Sequence, residues 1–161
     1  MLHSFKAALG TGLNLKLLIV GDGPQRSELT QLAKQLSLTD SVIFTGFQAD
    51  PQTYLSIMDV FLLPSLSEGT SMTLLEAMSF SKPSIATAVG GTPEILQHQK
   101  TGLLTTNKDA TDLTQAIIKL SKDQALRSKL GKSARVQYES KLTLKAMTQA
   151  YEALYKRLLP Q

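Results

Sequence analysis

Apolar runs of four to six residues alternate along the chain with longer segments whose apolar positions recur every three or four residues. The runs suit strands buried on both faces, and the longer segments suit helices that lay one face against them. Lys16–Val20 (KLLIV), bounded by Gly21-Asp22-Gly23-Pro24, reads as a buried parallel strand, and Gln25–Leu36 then places Leu29, Leu32, Ala33 and Leu36 on one helical face. Val42–Thr45 is a second strand closed by Gly46, Tyr54–Met58 a short helix, and Val60–Leu63 a third strand stopped by Pro64. A helix from about Ser71 to Ser79 leads to a strand at Ser84–Ala88. A short helix opens at Thr92-Pro93-Glu94, with Thr92 as N-cap and Pro93 at the first helical position. Gly102–Thr105 is a last short strand, and Asp109–Ser121, Gln124–Glu139 and Thr143–Leu159 are helices. No internal repeat or low-complexity linker interrupts the series. Such a succession closes through right-handed crossovers into an α/β fold: a doubly wound, Rossmann-like parallel sheet flanked by helices, with further helices at the C-terminus.

In sheets of this kind ligands sit beyond the carboxyl ends of the strands. The segments that follow the strands are Gly21-Asp22-Gly23, Gly46-Phe47-Gln48, Ser65 to Ser71, and Val89-Gly90-Gly91-Thr92, and together they form the candidate site. Their glycines permit close backbone approach to a ligand. Gly21-x-Gly23 does not complete a dinucleotide fingerprint, because Arg26 stands where the third glycine belongs. Two readings stay open for it, a tight strand-to-helix turn or a backbone edge lining the cleft. There is no G-x-x-x-x-G-K-[ST] phosphate loop.

The stretch Pro64 to Met78 (PSLSEGTSMTLLEAM) is the most informative. Gly69 allows a sharp turn and Ser71 can cap the following helix, so the free amides of residues 70–73 and the positive end of the helix dipole face the cleft. That edge suits phosphate or sugar hydroxyls. Glu68 and Glu76 are eight positions apart, roughly 12 Å along the axis of a continuous helix. A retaining hydrolase pair needs about 5 Å and an inverting pair about 6.5–9.5 Å. The two carboxylates are thus poorly placed to attack one bond together. They suit two separate hydroxyl clusters of an extended ligand, or else a helix-cap glutamate plus a half-buried structural one. Ala88-Val89-Gly90-Gly91-Thr92-Pro93-Glu94 repeats the arrangement and reads as a second amide-rich edge or as a simple tight turn. His98 reads as a solvated helix-terminal residue, Asp59 as a residue leading into a strand, and Tyr151, Leu154, Tyr155 and Leu158 as a packing stripe on the last helix.

At 161 residues the chain suits one compact domain with a sizeable core. The absence of cysteine excludes a disulfide scaffold, a thiolate metal site and cysteine catalysis, and with only His3 and His98 a histidine metal cluster is not expected. The net charge of +4 is uneven: residues 1–99 carry five Lys/Arg against eight Asp/Glu, and residues 100–161 carry twelve against five. The basic part alternates its charges with Ala, Leu, Ser and Gln at helical spacing, as a solvated helix face does, and lacks the interleaved aromatics of a nucleic-acid platform. Nucleic acid is therefore not an expected partner. Peripheral contact with an anionic membrane stays open. No apolar run approaches the roughly 20 residues of a membrane span, and no secretory leader precedes the first strand; the expected setting is cytoplasmic or peripheral at the inner membrane face.

In order along nearly the whole chain, LLIVGDGP (17–24), VIFTGF (42–47), MDVFLLPSLSEGTSMTLLEAM (58–78), KPSIATAVGGTPEIL (82–96) and KTGLL (100–104) resemble the C-terminal, donor-nucleotide domain of GT-B-fold retaining glycosyltransferases, the "group 1" family. The Glu-x7-Glu signature with the downstream Gly-Gly-x-x-Glu is specific in combination. The resemblance implies that Glu68 contacts and orients the donor sugar at its anomeric centre, while Glu76 hydrogen-bonds the ribose hydroxyls. The amides of Gly69, Thr70, Ser71, Met72 and Thr73 would meet sugar hydroxyls and the diphosphate, and Leu75 would pack near the nucleotide. The base would lie against Gly46, Phe47 and Gln48, read mainly through backbone groups, with Gly21 and Gly23 lining the same cleft. A hexose would pass from a nucleoside diphosphate to an acceptor hydroxyl with retention and without a tightly bound metal or cofactor, the leaving phosphate helping to deprotonate the acceptor.

Three departures accompany the resemblance. The family's upstream Arg-x4-Lys clamp on the diphosphate has no counterpart, since the chain opens in the helix that would follow it and Lys6 and Lys16 are misplaced. The N-terminal acceptor domain is missing too, so the resemblance implies a donor-binding fragment, inactive by itself, whose final helix (about 143–159) crosses back to that domain. Thr70-Ser71 replace the commoner aromatic-glycine pair, which alters the sugar pocket, and Ser81 replaces a usual glycine with little expected consequence. Two other readings are a sugar-nucleotide epimerase, disfavoured by the scarcity of histidine, and a receiver-like signalling domain. The latter is disfavoured because Asp22 stands alone after the first strand and the third strand ends in Pro64-Ser65.

Overall fold

The computed structural model describes residues 1–159. β1 (Leu17–Val20) runs parallel to β2 (Val42–Gly46), with Leu17 opposite Val42. β3 (Phe61–Leu63), β4 (Ser84–Thr87) and β5 (Gly102–Thr105) form a second parallel ladder in that order, with Phe61 opposite Ser84 and Ser84 opposite Gly102. The α/β class and parallel pairing are as expected, but the hydrogen bonds divide the strands into two sheets rather than one. β3 spans only three residues, and its Leu62 packs against both the core under β1–β2 and the core under β4–β5. Side-chain packing, rather than a ladder, joins the halves there.

Helices cover both faces of the second sheet because β4 alternates its side chains between two cores. Ile85 packs with Leu103 and with Leu113, Ala116, Ile117 and Leu120 of α6 (Ala110–Lys122), while Ala86 packs with Leu74 and Met78 of α4 (Met72–Ser79) and with Ile95 and Leu96. All four β4 residues are buried, as a central strand requires. On the other sheet, Leu2 and Phe5 of α1 (Leu2–Leu9) join Leu17, Val42 and Ala33 of α2 (Arg26–Gln35), and Ala8 reaches the α6 cluster. α7 (Gln124–Gln137) contributes Leu130 to one core of β4 and Ala134 to the other. It continues through a π-helical turn (Tyr138–Leu142) into α8 (Leu144–Leu158).

Several local expectations are corrected. α3 (Pro51–Ile57) starts at Pro51, because the Asp50 carboxylate accepts from the Gln52 N–H at 3.1 Å and Pro51 supplies a preset first helical residue. The cap of α5 (Thr92–Ile95) is Gly91; Thr92 lies inside the helix, and its buried hydroxyl has no hydrogen-bond partner among the described residues. His98 follows the end of α5 and anchors a loop: its Nδ1 accepts from the Leu104 N–H at 3.0 Å. Ser81 adopts φ +57°, a left-handed conformation that a glycine takes at no steric cost, so its substitution does have a consequence. α8 buries none of its residues, and Tyr151, Leu154, Tyr155 and Leu158 are exposed, so the expected packing stripe is left uncovered among the described residues.

Candidate functional site

Beyond β3 the chain turns through Pro64-Ser65 into the loop that carries Glu68 and Gly69, and beyond β4 it reaches Gly90-Gly91. The two loops meet backbone to backbone. The Gly91 N–H donates to the Gly69 carbonyl at 3.2 Å. A Cβ at Gly90, where φ is +50°, would lie 1.7 Å from the Glu68 carbonyl oxygen, so only glycine admits this approach. Gly90-Gly91 thus packs against the Glu68 turn, and the Gly91 amide is spent on the Gly69 carbonyl.

Glu68 is half-buried, and Ser65 Oγ donates to its Oε1 at 2.6 Å. Ser71 caps α4 as expected, its Oγ accepting from the Leu74 N–H at 3.3 Å and lying 3.1 Å from the Thr73 hydroxyl. Among the described residues none accepts from the N–H of Thr70, Ser71, Met72 or Thr73, and Thr70, Met72 and Thr73 are exposed at the open end of α4. Leu75 and Glu76 are half-buried on that helix, and the Glu76 carboxylate has no hydrogen-bond or ion-pair partner among the described residues. The pair that the spacing singled out is therefore a loop glutamate held by a hydroxyl and a helix glutamate left unpaired; neither is sealed in hydrocarbon.

A second cluster forms at the ends of β1 and β2. The Gly21 N–H donates to the Gly46 carbonyl at 3.0 Å, which brings Gly21, Gly23 and Gly46 to one edge. Phe47, the next residue, is 78% exposed, and Gln48 turns back to donate through Nε2 to the Thr45 carbonyl at 2.9 Å. Asp22 accepts from the Gly23 N–H at 2.8 Å and from Arg26 Nη1 at 2.9 Å, and these two bonds, the Gly23 one foremost, hold its carboxyl below the usual aspartate range. A shallow hollow of about 600 Å³ lies beside this edge, lined by Gly23, Pro24, Arg26, Ser27, Thr30 and Lys34 among others. It does not touch Glu68 or Glu76. Among the described residues no three His, Cys, Asp or Glu side chains converge to hold a metal ion.

Sequence reasoning took in Ser65 only as the first residue of a candidate loop, with no role, and did not single out Arg26. The signal for Ser65 is its place three residues before Glu68 in a tight turn; Arg26 showed only as the residue that spoils a fingerprint.

A profile of the family described as "Glycosyl transferases group 1" matches residues 1–137, which include both glutamates and both glycine-rich edges. The chain belongs to the glycosyl transferases group 1 family. Among relatives in this family, the N-acetyl-alpha-D-glucosaminyl L-malate synthase of Bacillus anthracis is 37% identical over 153 residues, covering 95% of this chain and 40% of that protein. The chain thus spans well under half the length of that relative. Among solved structures, Anabaena HepE in complex with UDP has a TM-score of 0.84 at 25% identity, over 96% of this chain and 44% of that one; the same protein has been solved with UDP-glucose. The C-terminal domain of the group 1 family protein LpcC from Francisella tularensis has a TM-score of 0.80 at 26% identity, over 89% of this chain and 77% of that one.

Proposed function

We propose that this glycosyl transferases group 1 chain is the donor-binding part of a retaining glycosyltransferase that moves a hexose from a nucleoside diphosphate to an acceptor hydroxyl. The observation that carries this reading is the docking of the Glu68–Gly69 turn onto Gly90-Gly91, which fixes a carboxylate beside the open N-terminus of α4. In the proposal Glu68 grips the sugar, and the unpaired Glu76 accepts from the ribose hydroxyls. The amides from Gly69 to Thr73 meet the sugar and the diphosphate, where the helix dipole adds to their attraction. Leu75 packs near the nucleotide, and the base lies against Gly46, Phe47 and Gln48, with Gly21 and Gly23 along the same cleft. That UDP and UDP-glucose bind in HepE supports a nucleoside-diphosphate sugar as donor.

In the transfer step the acceptor oxygen bonds to the anomeric carbon on the face from which the nucleoside diphosphate departs. The carbon–oxygen bond to the β-phosphate breaks, and the acceptor proton passes to that phosphate oxygen. The leaving diphosphate needs cationic stabilisation. We assign that clamp and the acceptor site to a partner domain of the same protein, which leaves this chain inactive alone. α8, with its uncovered apolar residues, is the element proposed to reach that domain. No tightly bound metal or cofactor enters the scheme. The setting is cytoplasmic, with peripheral contact at the inner membrane face through the basic C-terminal third.

The test is an amide-resolved NMR titration of the chain with UDP-, GDP- and ADP-sugars. Shifts at residues 68–76 are expected with at least one of them; binding of none at millimolar concentration overturns the reading.

A further inference from the structure

The edge formed by β1 and β2 holds a cation that the donor-binding scheme has not used. Arg26 opens α2, yet its guanidinium folds back across the end of the neighbouring strand. A Cβ at Gly46 would lie 2.6 Å from Arg26 Nη1, so the missing side chain at Gly46 makes room for the guanidinium. Gly46 also has φ +72°, a left-handed conformation that favours glycine. Asp22 fixes the group from the β1 side through Oδ2, and its other oxygen is itself tied to the Gly23 N–H.

This anchoring uses one of the five N–H donors of the arginine. Among the described residues no acceptor takes the donors on Nε or Nη2, and the side chain is 43% exposed. Asp22 already offsets its charge, so it is poorly suited to act as a bare cation toward a diphosphate. What remains is a planar fork lying against Gly46, the residue that precedes Phe47, whose ring is open to solvent. An exposed aromatic suits stacking with a nucleobase, and a guanidinium fork suits a base edge that carries a carbonyl oxygen.

Resting on the donor-binding reading above, we propose that Arg26, held by Asp22 over Gly46, selects the nucleobase of the donor. It favours uracil or guanine, which present a ring carbonyl, over adenine, whose amino group meets the guanidinium donor to donor. The base is then read by a side chain as well as by the backbone of Gly46 to Gln48. An edge built to be hydrogen-bonded leaves its donors unpaired against the wrong base, and that loss is the source of discrimination.

The experiment is calorimetric titration of the 161-residue chain with UDP, GDP and ADP, which share the same diphosphate and ribose, repeated for Arg26→Ala and Arg26→Lys. The expected result is that UDP or GDP binds at least about tenfold more tightly than ADP. Arg26→Ala then loses roughly that factor for the preferred nucleotide, as a charged hydrogen bond implies, while ADP shifts less than about twofold. Arg26→Lys keeps the charge without the fork and also narrows the ratio; it decides the matter should circular dichroism show Arg26→Ala to be unfolded. An unchanged ratio in the variants overturns the proposal, as does preference for ADP. An equal loss for all three nucleotides assigns Arg26 to the diphosphate and overturns it too. Each of those outcomes leaves the donor-binding reading standing, whereas failure of the wild-type chain to bind any of the three removes both.

Discussion

Glu68 and Glu76 differ in what already holds them. Ser65 occupies one oxygen of Glu68 at 2.6 Å and so fixes the carboxylate, while the Glu76 carboxylate awaits a partner on a half-buried helix face. Replacing Glu76 by Gln keeps the shape and removes a charged acceptor. The expected outcome is roughly tenfold or greater weakening of nucleoside-diphosphate binding by calorimetry, with an unaltered melting temperature, because no intramolecular bond is lost. Asp22 carries a separate prediction. Its carboxyl is held below the usual aspartate range, first by the Gly23 N–H and then by Arg26, and Asp50 is held low chiefly by the Thr53 hydroxyl. A lowered folded value means stability that is present above the unfolded aspartate value of about 3.9 and is lost as the pH falls through the folded one. Urea midpoints are therefore expected to hold steady between about pH 5 and 7 and to drop below about pH 4; Asp22→Asn should make that drop shallower.

At the scale of elements, two turns decide whether the site forms. Gly90 has to be glycine, since a methyl group there collides with the Glu68 carbonyl. Gly90→Ala is expected to leave a folded chain by circular dichroism but to displace the Glu68–Gly69 turn, abolishing the donor-induced NMR shifts at residues 68–76. Ser81, after α4, is the opposite case: a residue with a side chain in a conformation that suits glycine. Ser81→Gly is expected to raise stability by about 0.5–1 kcal/mol in chemical denaturation, the relief of the left-handed strain exceeding the added freedom of the unfolded chain. The binary pattern identified β1, β2, β4, β5 and the long helices because burial on one or two faces leaves a clear period. It misplaced the starts of α3 and α5, where a single cap hydrogen bond at Asp50, or its absence at Thr92, sets the boundary.

At the scale of the whole molecule, α8 is a helix that the other described residues leave uncovered. α8 has no buried residue, and its Tyr151 and Tyr155 rings stack on each other, 6.3 Å between centroids, rather than on the domain. Hydrogen exchange should find its amides open far faster than those of β4, where every residue is buried; equal protection would show that the chain covers α8 itself. The basic C-terminal third gives a second outcome at this scale: pelleting with anionic liposomes at low salt that disappears at high salt supports peripheral contact, and no pelleting at either removes it from the proposed setting. The sequence by itself determined the α/β class, the parallel strands, the motifs that resemble a donor-nucleotide domain and the pairing of Ser71 with α4. These follow from local period, propensity and spacing, which the chain carries at short range. Only the tertiary structure decided that the ladders split between β1 and β3, that Gly90 supports Glu68, that Arg26 reaches Gly46, and that α8 stands uncovered. The Gly90 and Arg26 approaches join groups from distant segments, and the split sheet and the uncovered helix depend on which distant segments come near; no short window of the chain carries either.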